Sequence, residues 1–362
     1  MSLTSYVTLG RSGLRISPFT LGTMTFGEDH GFGSDPAESR RILAAYLDRG
    51  GNSVDTANIY SNGHSEVIIG DHLTANPGVR DRIVLGTKFF WNLHLGDPNG
   101  GGPGRKAVVQ QLENSLRRLR TDYVDIYWLH NFDPVTPMEE TLRALDDLVT
   151  AGKIRYIGFS DVPAWATAEA ATIARFRGWA PVIALQLEYS LLERTAEGEL
   201  LPMAQAMGMG VLPWGPLKNG FLSGKYSSTA AAGTVDTTRT ALVGTPSEED
   251  YRVIDVVNEI AADLGVSAAT VALSWVLSRP GITSTLLGAR RLDQFEANLA
   301  ALELTLSPDH RNRLDEISAP RLNFPAENNA TLAPVAQNGG TTVDGRPTPP
   351  SPLLTSPGTT IY

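Results

Sequence analysis

The sequence predicts a single (β/α)8 barrel, and two observations carry that prediction. Short apolar runs alternate with amphipathic segments through most of the 362 residues, and a strand followed by a helix, repeated, builds a parallel sheet. Four polar residues, Asp55, Tyr60, Lys88 and His130, each stand just past one of those runs. Ligands of such sheets bind outside the carboxyl ends of the strands. A carboxylate, a phenol, an amine and an imidazole therefore converge on one rim.

The chain opens with Tyr6-Val-Thr-Leu-Gly-Arg-Ser-Gly-Leu-Arg-Ile, read as a hairpin turning at Ser12-Gly13. Strands are then expected at 19–24, 53–57, 83–88, 124–130, 154–160, 182–188, 210–214 and 283–288. Amphipathic segments between them include 39–48, 107–119, 138–150 and 164–177. In 138–150, Leu142, Leu145 and Leu148 recur at helical spacing while Glu139, Glu140 and Asp146 face away. Arg49-Gly50-Gly51 and Ala151-Gly152 supply the left-handed residue at which helices stop. Eight strand–helix units close a barrel rather than leaving a doubly wound sheet beside a second domain.

Two segments break the rhythm. Residues 217–246, rich in Gly, Ser, Thr and Ala, form an insertion between the seventh strand and its helix, and an insertion on that rim commonly covers a ligand. Beyond Ser318 the chain is dense in Pro, Gly, Thr and Asn and includes Pro347-Thr-Pro-Pro-Ser-Pro. The expected organisation is a barrel over 1–318 and a tail over 319–362, extended or disordered by composition.

Bulk properties narrow the function classes. A formal charge of −9 and a pI near 5.2 argue against nucleic acid or an anionic membrane as partner. No run of ~18 apolar residues suits a membrane span, and Met1-Ser-Leu-Thr-Ser-Tyr lacks the basic and apolar regions of an export signal. The absence of cysteine excludes disulfides, thiolate metal sites and cysteine nucleophiles. The expectation is a cytoplasmic protein acting on a small molecule, with neither substrate nor oligomeric state written in the pattern.

The four residues suit proton transfer to a carbonyl oxygen. A phenol is a weak acid at neutrality, with an ordinary pKa of about 10. An ammonium such as Lys88 beside Tyr60 favours the phenolate and brings the hydroxyl closer to useful acidity. Asp55 can pair with Lys88 and hold it, and His130 can donate to the substrate oxygen and orient it. Singly, each has a structural reading as a rim hydrogen-bonder. On three consecutive strand ends the combination reads as a site.

Those residues sit in longer motifs. Asp55-Thr-Ala-Asn-Ile-Tyr60, Gly86-Thr-Lys88, Trp128-Leu-His130 and Gly158-Phe-Ser160 resemble the signatures of the aldo-keto reductases. Leu21-Gly-Thr-Met24 and Leu212-Pro-Trp-Gly-Pro-Leu217 match as well, and the resemblance spans residues 6–318. Pro163-Ala-Trp165 and Gln186-Leu-Glu-Tyr-Ser190 are similar to bacterial and fungal members of the aryl-alcohol-dehydrogenase-like branch.

The resemblance implies a carbonyl-reducing oxidoreductase whose tetrad is Asp55, Tyr60, Lys88 and His130, with Tyr60 as general acid. It implies NADPH, with NADH possible, laid across the barrel mouth. Gly22, Thr23, Met24 and Asp55 would meet the cofactor on one side. Ser160, Asp161 and Gln186 would hold the carboxamide, and Trp214 would offer its face to the nicotinamide ring. Gly215, Pro216, Leu217, Asn219, Gly220 and Lys225 would fold over the pyrophosphate, with backbone N–H groups exposed by Gly220. Gly288, Arg290, Gln294 and Asn298 would meet the adenosine end, where Arg290 or Arg291 can pair with a 2′-phosphate and favour NADPH. The potassium-channel β subunits share this fold and tetrad, so a cofactor-binding regulatory subunit is the alternative.

Three positions depart from the family pattern. Asp161 stands where asparagine is common, which removes a donor to the carboxamide oxygen. Gly215 replaces a common serine, and Leu286-Leu287 precede Gly288 where Ile-Pro is frequent. These bear on cofactor grip rather than reaction type.

Other motifs read as scaffold. Gly31-Phe-Gly33 and Gly100-Gly-Gly-Pro-Gly104 fit rim loops, since Lys106 is not followed by Ser or Thr as a phosphate loop requires. The histidines at 30, 64, 72, 94, 130 and 310 form no His-x-x-x-His pair, so no metal is expected. Trp91 and His94, soon after Lys88, are candidate walls of the substrate pocket.

Overall fold

Eight short parallel strands form the centre of the molecule, in a computed structural model that describes residues 1–228 and 244–360. The ring runs through β3 (Phe19–Gly22), β4 (Ser53–Asp55), β5 (Val84–Phe89), β6 (Val124–Leu129), β7 (Ile154–Ser160), β8 (Val182–Glu188), β9 (Gly210–Trp214) and β10 (Thr285–Leu287). β10 pairs with β3, and the ring closes where the Thr283 N–H donates to the Val211 carbonyl at 2.9 Å. The (β/α)8 barrel is therefore present, and a doubly wound sheet is ruled out.

Helices follow the strands around the outside: α1 (Pro36–Asp48), α2 (His64–Ala75), α3 (Arg105–Leu119), α4 (Met138–Thr150), α5 (Ala164–Arg177), α6 (Leu200–Met207), then α7 (Glu248–Leu264) and α8 (Ala268–Leu277). In α4 the leucines at 142, 145 and 148 are buried and the glutamates at 139 and 140 exposed, as the spacing requires. Asp35 caps α1 by accepting from the N–H groups of Ala37 and Glu38, which satisfies donors the helix leaves open. α8 is apolar nearly all round because it is buried nearly all round. No single helix among the described residues is long and apolar enough to cross a membrane.

Below the barrel, β1 (Val7–Thr8) and β2 (Arg15–Ile16) form the expected hairpin. Leu9 and Ile16 are wholly buried and join Val84, Ile126, Trp128, Ala184, Leu212 and Leu286 in one apolar cluster. That cluster fills the barrel from beneath. A second, larger cluster lies between the strands and the helices, which is the layering of a packed barrel.

Several strand ends fall short of expectation. Met24, Ala57, His130 and Gly288 lie just past β3, β4, β6 and β10. There single backbone bonds replace the ladder, such as Thr23 N–H to Asp55 O at 3.0 Å and His130 N–H to Phe89 O at 3.1 Å. The insertion at 217–246 opens with a tight turn over Lys218–Ser223, and its stretch from 229 to 243 lies outside the described residues.

The tail differs from the extended segment its composition suggested. Ala326–Asn338 is a helix, even with Pro334 inside it, followed by a two-stranded hairpin and a turn at Pro352–Thr355. Four alanines in that stretch supply helix propensity that the Pro-rich average conceals. Most of the tail is exposed, and it meets the body where Leu322 and Ala326 pack over Gly198.

Candidate active site

Asp55 ends β4, Lys88 lies one residue from the end of β5, and His130 follows β6, so parallel register alone lifts all three to the same rim. Tyr60 arrives on the short segment after β4. Lys88 is wholly buried, and its ammonium donates to the Asp55 Oδ2, to the Thr56 carbonyl at 3.0 Å and to the Tyr60 hydroxyl at 3.0 Å. The His130 ring meets the Tyr60 ring edge-on, with centroids 5.9 Å apart. The backbone after Tyr60 is left-handed at Ser61 and Asn62 (φ 47° and 57°). Ser61 ties it down by donating to the Phe26 carbonyl at 2.8 Å.

Electrostatics follow from burial. Burial pushes the Asp55 carboxyl up, opposed by Lys88 and by a hydrogen bond from Gln186. Burial also opposes the Lys88 charge, yet Asp55 and Tyr60 outweigh it and hold the ammonium above its usual range. Burial, with a push from Lys88, holds His130 well below the usual imidazole range, so the ring is neutral. The Tyr60 hydroxyl corrects an expectation: burial lifts it above its ordinary value even though Lys88 pulls the other way, and Asp55 and Asp161 add to the rise. Tyr60 therefore keeps its proton, and its oxygen accepts from the Lys88 ammonium.

Beneath the four lies Trp128. Its indole occupies the space that side chains at Gly158 and Gly86 would need: a Cβ at 158 would meet ring carbons at 2.2 Å, and one at 86 would meet Nε1 at 2.8 Å. The glycines of both motifs are thus packing requirements of one tryptophan. Also buried, Thr20 donates to the Ser53 hydroxyl at 3.1 Å and shares a 2.8 Å hydrogen bond with the Ser284 hydroxyl.

The positions implied for a cofactor ring the same mouth. Ser160 and Gln186 are register partners on β7 and β8, both buried. The Gln186 Nε2 donates to Asp55 Oδ1 at 2.7 Å, and the Ser160 hydroxyl donates to Asp161 at 3.1 Å. Asp161 also accepts from the Trp214 indole N–H at 3.0 Å. Thr23 is wholly buried and committed to the Asp55 carbonyl at 3.0 Å, whereas Gly22 is partly open and Met24 exposed. Gly215, Lys218, Asn219 and Gly220 are left-handed (φ 64°, 43°, 57° and 96°) and make a concave turn. The Gly220 N–H itself turns back to the Leu217 carbonyl at 2.9 Å. Pro216 is buried, Leu217 leads the turn and Lys225 is exposed beyond it.

Across the mouth Gly288 lies beside the Gly22 carbonyl, and Gln294 accepts from the Arg290 N–H at 3.3 Å. Asn298 closes the short helix Leu292–Asn298. Arg291 forks onto Asp293 at 2.9 and 3.1 Å. The indole face of Trp214, the carbonyl end of Gln186 and the concave turn fit a flat amide-bearing ring joined to a phosphate.

Trp91 is half exposed and touches His130 edge-on, ring centroids 6.5 Å apart. His94 is exposed and shares no hydrogen bond, ion pair or ring contact with the four among the described residues. Trp91 owes its place to residues the sequence did not single out. Gln111 on α3 accepts from the Phe90 N–H and from Asn58, each at 2.9 Å, and Asn58 donates to the Trp91 carbonyl at 2.8 Å. Phe90 is thereby held at φ 129°, a conformation that persists only when its surroundings over-determine it. Among the described residues, no group of three or more His, Cys, Asp or Glu is placed to hold a metal ion.

The model of the aldo/keto reductase family matches residues 18–319. The uncharacterized oxidoreductase YrpG of Bacillus subtilis is 36% identical over 86% of this chain and 95% of its own length. A putative voltage-gated potassium channel subunit beta of Schizosaccharomyces pombe is 37% identical over 87% of this chain and 92% of its own. The norsolorinic acid reductase stcV of Emericella nidulans is 34% identical over 87% and 81%.

Proposed function

Because the chain belongs to the aldo/keto reductase family, we propose that it reduces aldehydes or ketones to alcohols with NADPH, Tyr60 acting as the general acid. The observation that carries this reading is the contact of the Lys88 ammonium with the Tyr60 hydroxyl at 3.0 Å, made while the same nitrogen is held by Asp55. Bound NADPH would supply the hydride. The chain supplies the rest. A substrate carbonyl reaching the mouth meets the Tyr60 hydroxyl, with the neutral His130 ring beside it to orient the oxygen.

As negative charge grows on that oxygen, Tyr60 gives up its proton. The Lys88 charge, unscreened in a buried site, stabilises the phenolate left behind. Burial raises Tyr60 in the resting pocket, so the proton is retained until the carbonyl draws it. Asp55 fixes Lys88 and keeps it charged. Arg290 or Arg291, near the adenosine end, would favour NADPH over NADH through a 2′-phosphate.

The test is Tyr60→Phe. NADPH-dependent reduction of an activated benzaldehyde should vanish while NADPH binding, followed by fluorescence, stays nearly intact. Unchanged turnover would discard the assignment.

A second reading has a specific observation in its favour, the 37% identity to a relative named as a potassium channel β subunit. Under it the same site would bind cofactor and turn over slowly as a regulatory device. Stopped-flow hydride transfer separates the two readings: a fast chemical step with comparable steady-state rate fits the reductase.

A further inference from the structure

Asp161 is tied to the mouth from three sides. Its Oδ1 accepts from the Trp214 indole at 3.0 Å, its Oδ2 from the Ser160 hydroxyl at 3.1 Å, and its N–H donates to the Gln186 carbonyl at 3.2 Å. Both side-chain partners donate, which suits the ionised carboxylate. Its φ of 56° is one that Asp and Asn tolerate better than most residues. Gln186, whose carbonyl that N–H holds, donates in turn to Asp55 at 2.7 Å, so the carboxylate stands at the same mouth as the four; burial pushes it up, opposed by the two side-chain hydrogen bonds and by Lys88.

The neighbouring charges are already matched. Lys88 is paired with Asp55, and Glu188, the other carboxylate acting on Asp161, is paired with Lys218 at 2.7 Å. Asp161 makes no ion pair among the described residues.

We propose that Asp161 is the counter-charge for an oxidised nicotinamide ring, so that this chain holds NADP+ more tightly than NADPH. The proposal rests on the nicotinamide-dependent reading above. In carbonyl reduction a C–H bond of the dihydronicotinamide breaks and its electron pair leaves with the hydrogen to form the new C–H bond at the carbonyl carbon. The carbonyl oxygen takes the Tyr60 proton. The cofactor is oxidised, the carbonyl is reduced, and the ring passes from neutral to cationic. A fixed carboxylate at that place attracts the cation and does nothing for the neutral ring. It therefore assists departure of the hydride and retards release of the spent cofactor. An asparagine in the same pose would accept the same indole bond without the charge.

The experiment is a pair of dissociation constants, for NADP+ and NADPH, measured by quenching of protein fluorescence at pH 8 on the full chain and on Asp161→Asn. Phosphate contacts are common to both cofactors and cancel in the ratio. The wild-type preference for NADP+ should fall roughly tenfold in the variant, about 1.4 kcal/mol, and should also fall in the wild type as salt is raised. An unchanged ratio with both cofactors still bound would overturn the inference and leave the reductase reading standing. Failure of the wild type to bind either cofactor would overturn both.

Discussion

Gln186 and Asp55, 131 residues apart, are joined by a 2.7 Å hydrogen bond from Nε2 to Oδ1. The bond ties the proposed carboxamide end of the site to the proposed proton-transfer end, since the other Asp55 oxygen holds Lys88. Gln186→Leu removes a donor from a buried carboxylate, which costs about 1–3 kcal/mol. Urea denaturation of the cofactor-free protein should show that loss, together with a lower reduction rate at saturating NADPH. Stability equal to the wild type would mean that Asp55 does not depend on this donor.

His130 gives a pH dependence with a definite sign. Its folded pKa is held well below 6.5 by burial and by Lys88, so between those two values the unfolded chain binds the extra proton. Stability is then complete above the unfolded value and falls as the pH drops from about 6.5 toward the folded one. His72 is displaced in the same direction, chiefly by burial. Melting temperatures at pH 7.5 and 5.5 should therefore differ, and His130→Gln should shrink the difference without abolishing it. An equal difference in the variant would contradict the neutral ring.

Gly158 tests the packing under the site. A methyl group there would meet the Trp128 ring at 2.2–2.3 Å, so Gly158→Ala should destabilise by about 1–3 kcal/mol or more. Trp128→Leu should largely relieve that cost. In a double-mutant cycle the pair should couple strongly, and additive losses would refute the contact.

Gln111 lies outside the pocket but holds its wall. With Gln111→Leu the Phe90 N–H loses its acceptor and the φ of 129° loses its restraint, so Trp91 should leave His130. The expected signature is a KM for aromatic carbonyls raised several-fold with little change in the dissociation constant for NADPH. A changed cofactor affinity with an unchanged KM would relocate the role of this strap.

Much of the fold was legible because it rests on periodicity. β7, β8 and β9 fall at 154–160, 182–188 and 210–214 as the apolar runs mark them. The convergence of Asp55, Lys88 and His130 was legible too, because parallel strands in register share one end. What escaped has long sequence separation and no local pattern: Gln111 bonding Phe90, Gln186 bonding Asp55, and Trp128 dictating two glycines. The Tyr60 expectation missed because a sequence names the neighbouring ammonium but not the degree of burial. The tail helix escaped because composition averages over segments of opposite propensity.

Lys88 carries a last consequence. An ammonium has three N–H groups, and all three are engaged, with Asp55, Thr56 and Tyr60. An amine so placed has no lone pair to offer and no room to turn. A lysine at the end of a barrel strand, facing a carbonyl compound, has an obvious rival chemistry: addition to the carbonyl and loss of water to form an imine. Full ligation closes that route, leaving the substrate to depart as an alcohol and not remain as a covalent adduct.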